Sequence, residues 1–414
     1  MNKNIKLAVA GAVLALSASA NAGIIIPAGD WTLDIGGNVN TFVTNTRASG
    51  SATITGGYAS FVGNANATTE KNESNITTGL LPNYLSVSGT TRQNDLDVAF
   101  TISINPGAST SQGGRQSAHQ ENRQAFMTFG DKSWGSVKLG KDLGIFAGTA
   151  ILNDMTLLGV GSGAGGLGNA GNTTTIGGIG TGYIYADWKA QATYTSPNFS
   201  GFQFTLGVTQ GWNQQSNASD GATTPTYYSL NTTGRSGSAP AAEGQLSYSW
   251  TGATSGKIWT SGLVQKVNHN STTVVLDDDR AQAADIGASL TMGDLGLVGY
   301  AYKGDGIGTT IQFMDGYTVL GKQRKSDGGY AQLTYVLPSK TKVGLAYGIS
   351  NLDRNSTESS TNLVKENERT TLGAYHPLTK HLNLVAEYND ARAQNQAGAE
   401  NKSRTVSLGG ILFF

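Results

Sequence analysis

From Asp95 to Ile104 every even position is apolar: Leu96, Val98, Phe100, Ile102 and Ile104. The odd positions are Asp95, Asp97, Ala99, Thr101 and Ser103. A period of two marks a strand whose faces meet different surroundings. The same period recurs along the chain. Trp31, Leu33 and Ile35 alternate with Thr32, Asp34 and Gly36, and Trp188, Ala190, Ala192 and Tyr194 alternate with Asp187, Lys189, Gln191 and Thr193. Val343, Leu345, Tyr347 and Ile349 alternate with Gly344, Ala346 and Gly348.

The connections between these segments are of two kinds. Short polar turns lie near 89–95, 130–135, 196–201, 251–257, 293–296, 338–342 and 377–381. Several carry the Gly, Asp, Asn or Pro that tight hairpins favour, and Pro197, Pro338 and Pro377 sit where a missing N–H costs no ladder bond. Long polar segments lie near 45–82, 105–122, 142–185, 211–243, 269–282, 304–326, 351–368 and 390–402. Seven turns and eight loops join sixteen strands. Short turns on one rim and long loops on the other, with an even strand number, predict an all-β fold: a transmembrane antiparallel β-barrel of the outer-membrane kind. A soluble sandwich also alternates, but it rarely sustains such one-sided loop lengths.

The chain ends on a strand. Val406, Leu408, Gly410, Leu412 and Phe414 share one face, while Thr405, Ser407 and Gly409 share the other; Ile411 and Phe413 break the alternation. An amphipathic strand stopping on an aromatic residue would close the barrel against the strand beginning near Trp31 and set a ring at the membrane interface.

Composition fits a water-lined barrel better than a dry core. The 414 residues are 38% hydrophobic and 14% charged, with 57 Gly, 8 Pro and no Cys. That hydrophobic share is low for a globular chain. The absence of Cys excludes a disulfide scaffold and zinc-thiolate sites. With 28 basic and 28 acidic residues, nothing points to a nucleic-acid partner. At the N-terminus, Lys3 and Lys6 precede an apolar stretch from Leu7 to Leu16 and the small-x-small site Ala20-Asn21-Ala22. This reads as a cleaved secretory signal over 1–22, leaving a single barrel domain over 23–414. Beyond Ala22 no apolar run approaches the roughly 18 residues a membrane helix requires.

Three segments and the terminal strand resemble the Gram-negative general porin family: Arg123-Gln124-Ala125-Phe126-Met127, Trp134-Gly135-Ser136-Val137-Lys138-Leu139-Gly140-Lys141, and Tyr194-Thr195-Ser196-Pro197-Asn198-Phe199-Ser200-Gly201-Phe202. Together with the signal and the strand rhythm, the resemblance covers essentially the whole chain. It implies a sixteen-stranded homotrimer in the bacterial outer membrane, surrounded by lipid and lipopolysaccharide. The third long loop, here 142–185, would fold into each pore and narrow it. The terminal strand, through Val406, Leu408, Leu412 and Phe414, would be the assembly signal read by the barrel-insertion machinery.

In that family basic wall residues face acids on the inserted loop. Charge facing the narrowest point sets which ions enter. Mapped onto this sequence, Arg123 matches a wall arginine and Lys141 a basic residue at the start of the loop. A third wall position falls on Asp187, with Lys189 two residues on and on the same face, and a fourth on Tyr84. Between Leu143 and Ala186 the only charged residue is Asp154. Asp154 is therefore the first candidate for the opposing acid and Asp142 the second. So uncharged a loop predicts modest ion selectivity.

Other signals point elsewhere less well. Gly161-Ser162-Gly163-Ala164-Gly165-Gly166 matches GxGxxG, yet no helix-forming segment follows to present its N-terminus to phosphates. Asp277-Asp278-Asp279 could hold calcium, but the spacing does not match a calcium loop. His119, His269, His376 and His381 are scattered and form no metal or hydrolase constellation. The expected function is a passive channel for ions and small hydrophilic solutes, with no catalysis, no metal and no cofactor. The alternative is a substrate-specific channel for sugars or aromatic acids, which aromatic residues lining the lumen would support.

Overall fold

The computed structural model describes residues 23–52, 54–57, 72–108, 120–163, 173–212, 235–236, 239–268, 279–318, 321–356, 358 and 361–414. The expected signal over 1–22, and Asp277 and Asp278, lie outside the described residues. Sixteen long strands carry the fold. The first eight are β1 (Trp31–Ser49), β2 (Tyr84–Gln93), β3 (Leu96–Pro106), β4 (Ala125–Asp131), β5 (Gly135–Leu143), β6 (Trp188–Thr195), β7 (Phe202–Thr209) and β8 (Ala241–Trp250). The second eight are β9 (Ser255–Asn268), β10 (Asp279–Met292), β11 (Leu295–Asp305), β12 (Lys325–Val336), β13 (Lys342–Asp353), β14 (Val364–Pro377), β15 (Leu382–Asn395) and β16 (Glu400–Phe413).

Each strand pairs antiparallel with the next in sequence. The ring closes where β16 returns to β1, in register from Asn38↔Phe413 to Ser49↔Lys402. Closure leaves no long sheet edge unpaired, as a strand structure in lipid requires. The expected partner of the terminal strand is thus the observed one.

Burial runs inside out. On β1, Val39 is 56% and Val43 59% exposed, whereas Asn38, Asn40, Thr44 and Thr46 are each 2% exposed or less. Apolar side chains face outward and polar ones inward, which is stable only if the outer solvent is hydrocarbon. Among the described residues no helix is long and apolar enough to cross a membrane, which says nothing of strands.

The seven short turns fall where expected. Between β2 and β3 the chain turns through Asn94 (φ 47°) and Asp95 (φ 64°), two residue types that tolerate positive φ. Three differences emerge. A short strand, Ile24–Ala28, precedes β1 and pairs with it from Ile24↔Ile35 to Ala28↔Trp31. It lies on the same edge of β1 as β16, so the first and last strands together cover that edge. Second, the expected loop at 390–402 is only the turn 396–399, and the expected loop at 351–368 shrinks to 354–363. The polar residues there are strand residues: Arg392 pairs across strands with Glu366 at 2.6 Å and Glu400 at 2.9 Å, and Arg404 with Asp390 at 3.0 Å. Third, Ile411 breaks the inner polar face because it packs, 1% exposed, with Phe42, Met155, Leu158, Val160 and Val385.

Candidate functional site

The segment 144–187 between β5 and β6 contains a short helix, α1 (Gly148–Asn153), and a 3-10 turn, Met155–Leu158. Both ends are fastened at one ion pair. Lys189 Nζ lies 2.5 Å from Glu243 Oε1, and both side chains are fully buried. Glu243 Oε2 accepts the N–H groups of Ile145 (2.8 Å) and Phe146 (2.9 Å). Further along, Asp285 Oδ2 accepts from Ala147 N at 3.2 Å, Gln332 Oε1 from Met155 N at 2.7 Å, and Glu387 Oε2 from Val160 and Gly161 N at 2.8 Å each. A buried carboxylate needs donors, and a non-helical backbone needs acceptors. Here each supplies the other.

Asp154 lies between α1 and the 3-10 turn, 1% exposed. It accepts the Thr156 N–H (2.9 Å) and the Tyr183 hydroxyl (2.8 Å), and faces Arg369 Nη2 of β14 at 3.7 Å. Burial, and then the Asp154 charge, push the Tyr183 hydroxyl well above its ordinary value, so it stays a donor. A Cβ on Gly178 would lie 2.3 Å from Asp154 Oδ2 and 2.6 Å from Arg369 Nη2, so a side chain there would displace one of the two.

The wall residues expected from the sequence separate into several environments. Arg123, 7% exposed, donates through Nε to Glu121 (2.7 Å) and through Nη2 to Thr173 of the loop (3.1 Å), 5.8 Å from the Trp188 ring. Asp187, at φ 59°, caps the Trp188 N–H at 2.7 Å. Burial pushes its carboxyl up, against that hydrogen bond and the charges of Lys189, Arg123 and Lys141. Tyr84 is opposite Asn38 on the inner face. Two placements correct the expectation. Lys141 is opposite Ala125 and Ala190, both exposed, so it shares their outer face; it donates to Asn122 O at 2.8 Å. Its neighbour Asp142 takes the inward phase, because adjacent strand residues point to opposite faces. Asp142 is therefore a wall residue of β5 and not a loop acid, bonded by Lys138 Nζ and, at 3.1 Å, by Gln124 Nε2.

The sequence reading missed Glu243, Asp285, Glu387 and Arg369. A signal existed: each occupies the polar phase of an alternating strand, where a charge must meet either the lumen or a partner. Asp154 was found, but its base is Arg369 and not Arg123. Among the described residues no group of three His, Cys, Asp or Glu is placed to hold a metal.

A closed sixteen-stranded barrel with an apolar exterior and a polar interior defines the class of outer-membrane channel proteins. The Gram-negative porin profile matches residues 7–396, and the chain belongs to that family. It is a non-enzymatic outer-membrane channel for passive diffusion. No individually curated protein matches the sequence. Among solved structures, the outer-membrane channel DcaP of Acinetobacter baumannii is similar at TM-score 0.67 and 16% identity, over 94% of this chain and 99% of that one. OmpF of Salmonella typhi, solved with daunomycin, is similar at 0.60 and 14%, over 94% and 100%. A trimer form of OmpT from Vibrio cholerae is similar at 0.52 and 13%, over 93% and 99%. At these identities the likeness is one of fold.

Proposed function

We propose that the channel passes ions and small hydrophilic solutes with modest selectivity, narrowed by the loop 144–187, and that it works as a homotrimer. One observation carries this reading: the loop's backbone N–H groups are held by inward carboxylates of β8, β10 and β15. That fastening draws the segment across the lumen side of the wall. The one charge between Leu143 and Ala186, Asp154, is buried facing Arg369 of the wall, which leaves little fixed charge on the segment to discriminate ions.

A substrate-specific route would need aromatic rings open to passing solute. Trp259, Tyr300 and Tyr330 lie on inward strand positions but are only 1%, 6% and 4% exposed, packed with Ala150 and Tyr183 of the loop. The passive reading is therefore preferred. Maturation would remove residues 1–22, so the purified protein should begin at Gly23. The charged outer ends of β14–β16 suit lipopolysaccharide headgroups, and Val406, Leu408, Leu412 and Phe414 the insertion machinery.

Planar-bilayer recording tests the proposal. Stepwise conductance on the order of a nanosiemens, with weak selectivity, is expected; a silent protein would overturn it. Arg123→Glu should move the reversal potential toward cations, and an unchanged potential would remove Arg123 from the narrow region.

A further inference from the structure

A second loop is as deeply buried as the first. Between β11 and β12, Ile307, Phe313, Met314 and Tyr317 are each 2% exposed or less. They pack with Ile179, Tyr183 and Ile184 of the first loop and with Trp259, Tyr300 and Tyr302 of the wall. Trp259 and Tyr300 stand on the inward faces of β9 and β11, so the cluster lies inside the ring. A loop reaching into outer solvent would leave these apolar groups in water.

The two loops are joined by directed bonds as well as by packing. Tyr185 N donates to Thr310 O at 2.8 Å, within a parallel bridge between Tyr185 and Ile311. Gln312 is the key contact. Its Oε1 accepts from Lys189 Nζ at 2.5 Å, and its Nε2 donates to the carbonyls of Tyr185 and Ala186, each at 3.3 Å. One amide thus engages both the foot of the first loop and the ion pair that fastens its start.

The lobe is pinched at its base. A Cβ on Gly316 would lie 2.1 Å from Gly306 O and 3.1 Å from Gly308 N. Arg324 closes the neck from outside: its N–H donates to Gly316 O and its Nη1 to Asp315 O, both at 2.8 Å.

We infer that residues 306–318 are a second narrowing element of this channel, keyed to the first loop through Gln312. Apart from the Arg123–Thr173 bond and the backbone bonds to Gly79 and Leu80, the polar anchors of the two loops fall on β6, β8 to β10 and β12 to β15, so the path left for solute runs beside β2–β5. There Ser86, Ser88 and Thr128 face inward, half-buried, with Lys138. This inference rests on the proposed function, and the tests separate them: a silent wild-type protein overturns the channel reading itself.

Excising Thr309–Asp315 and joining Gly308 to Gly316 removes the lobe with little demand on the remaining backbone. In planar bilayers with KCl, the excised protein should conduct about twice as well as wild type, because a narrower path carries less current. In liposome swelling it should admit larger neutral sugars. A trimeric, heat-modifiable excision variant with wild-type conductance and wild-type sugar cut-off would overturn the inference. If the excision variant does not assemble, Gln312→Leu takes its place. It keeps the volume and removes the bonds, and extra open levels or a higher mean conductance are expected. Traces identical to wild type would then overturn the inference.

Discussion

Lys189 stands at an inward strand position, where an exposed ammonium would attract anions. Its partners decide otherwise: Glu243 and Gln312, each at 2.5 Å, leave it fully buried. A buried ion pair gains little net stability, but removing one member strands the other. Lys189→Met should therefore cost roughly 3–5 kcal/mol in heat or urea unfolding of the assembled protein. Adding Glu243→Leu should recover part of that loss. A single mutant as stable as wild type would show that the pair is not what fastens the loop. The reversal potential should change little in either variant, since neither charge meets solute.

At the scale of elements, the neck of the second loop is held by Arg324 and Glu358. Arg324 Nη2 lies 2.5 Å and Nε 3.0 Å from the two Glu358 oxygens. Burial pushes the Glu358 carboxyl up, but the Arg324 hydrogen bond and charge, the Asn355 N–H and the Arg354 charge outweigh it. The net value lies below the ordinary one. A carboxylate with a lowered folded value stabilises above its ordinary range and loses that contribution as pH falls through the lowered value. The neck should thus hold at neutral pH and loosen in acid, once the pH falls below the ordinary glutamate range. Hydrogen exchange at the Arg324 amide, which donates to Gly316 O, compared at neutral and acid pH, reads this directly. Glu358→Gln should show the acid pattern already at neutral pH; slow exchange in that variant would exclude the clamp.

For the whole molecule, closure depends on one seam. Phe414 exchanges two backbone bonds with Gly37, N–H to O at 3.0 Å and O from N–H at 2.8 Å. Next to it β16 turns Val406, Leu408 and Leu412 outward, at 50%, 58% and 43% exposure, toward lipid. Deleting Phe414 should lower the yield of assembled barrels in the membrane while leaving the conductance of those that form unchanged. Normal yield would count against a role for the terminus in assembly. Leu408→Arg should destabilise the folded barrel by about 2–4 kcal/mol if it meets the bilayer midplane.

The sequence by itself determined the sixteen long strands, the rim of each turn and the face of most strand side chains. These follow from period two and from turn chemistry, both local properties. Where it erred locally, the cause was also local: charged strand ends at Glu366–Glu368 and Arg392 read as loop, and Lys141 sat one residue out of phase with the lumen. The tertiary structure decided which inward charges remain available to solute. Glu243, Asp285 and Glu387 occupy the polar phase just as a selectivity ladder would. Only the path of 145–161 along these strands converts them into acceptors for its backbone. Loop backbone has no period to read, so neither that path nor the meeting of Gln312 with Lys189, 123 residues apart, was legible before the fold brought them together.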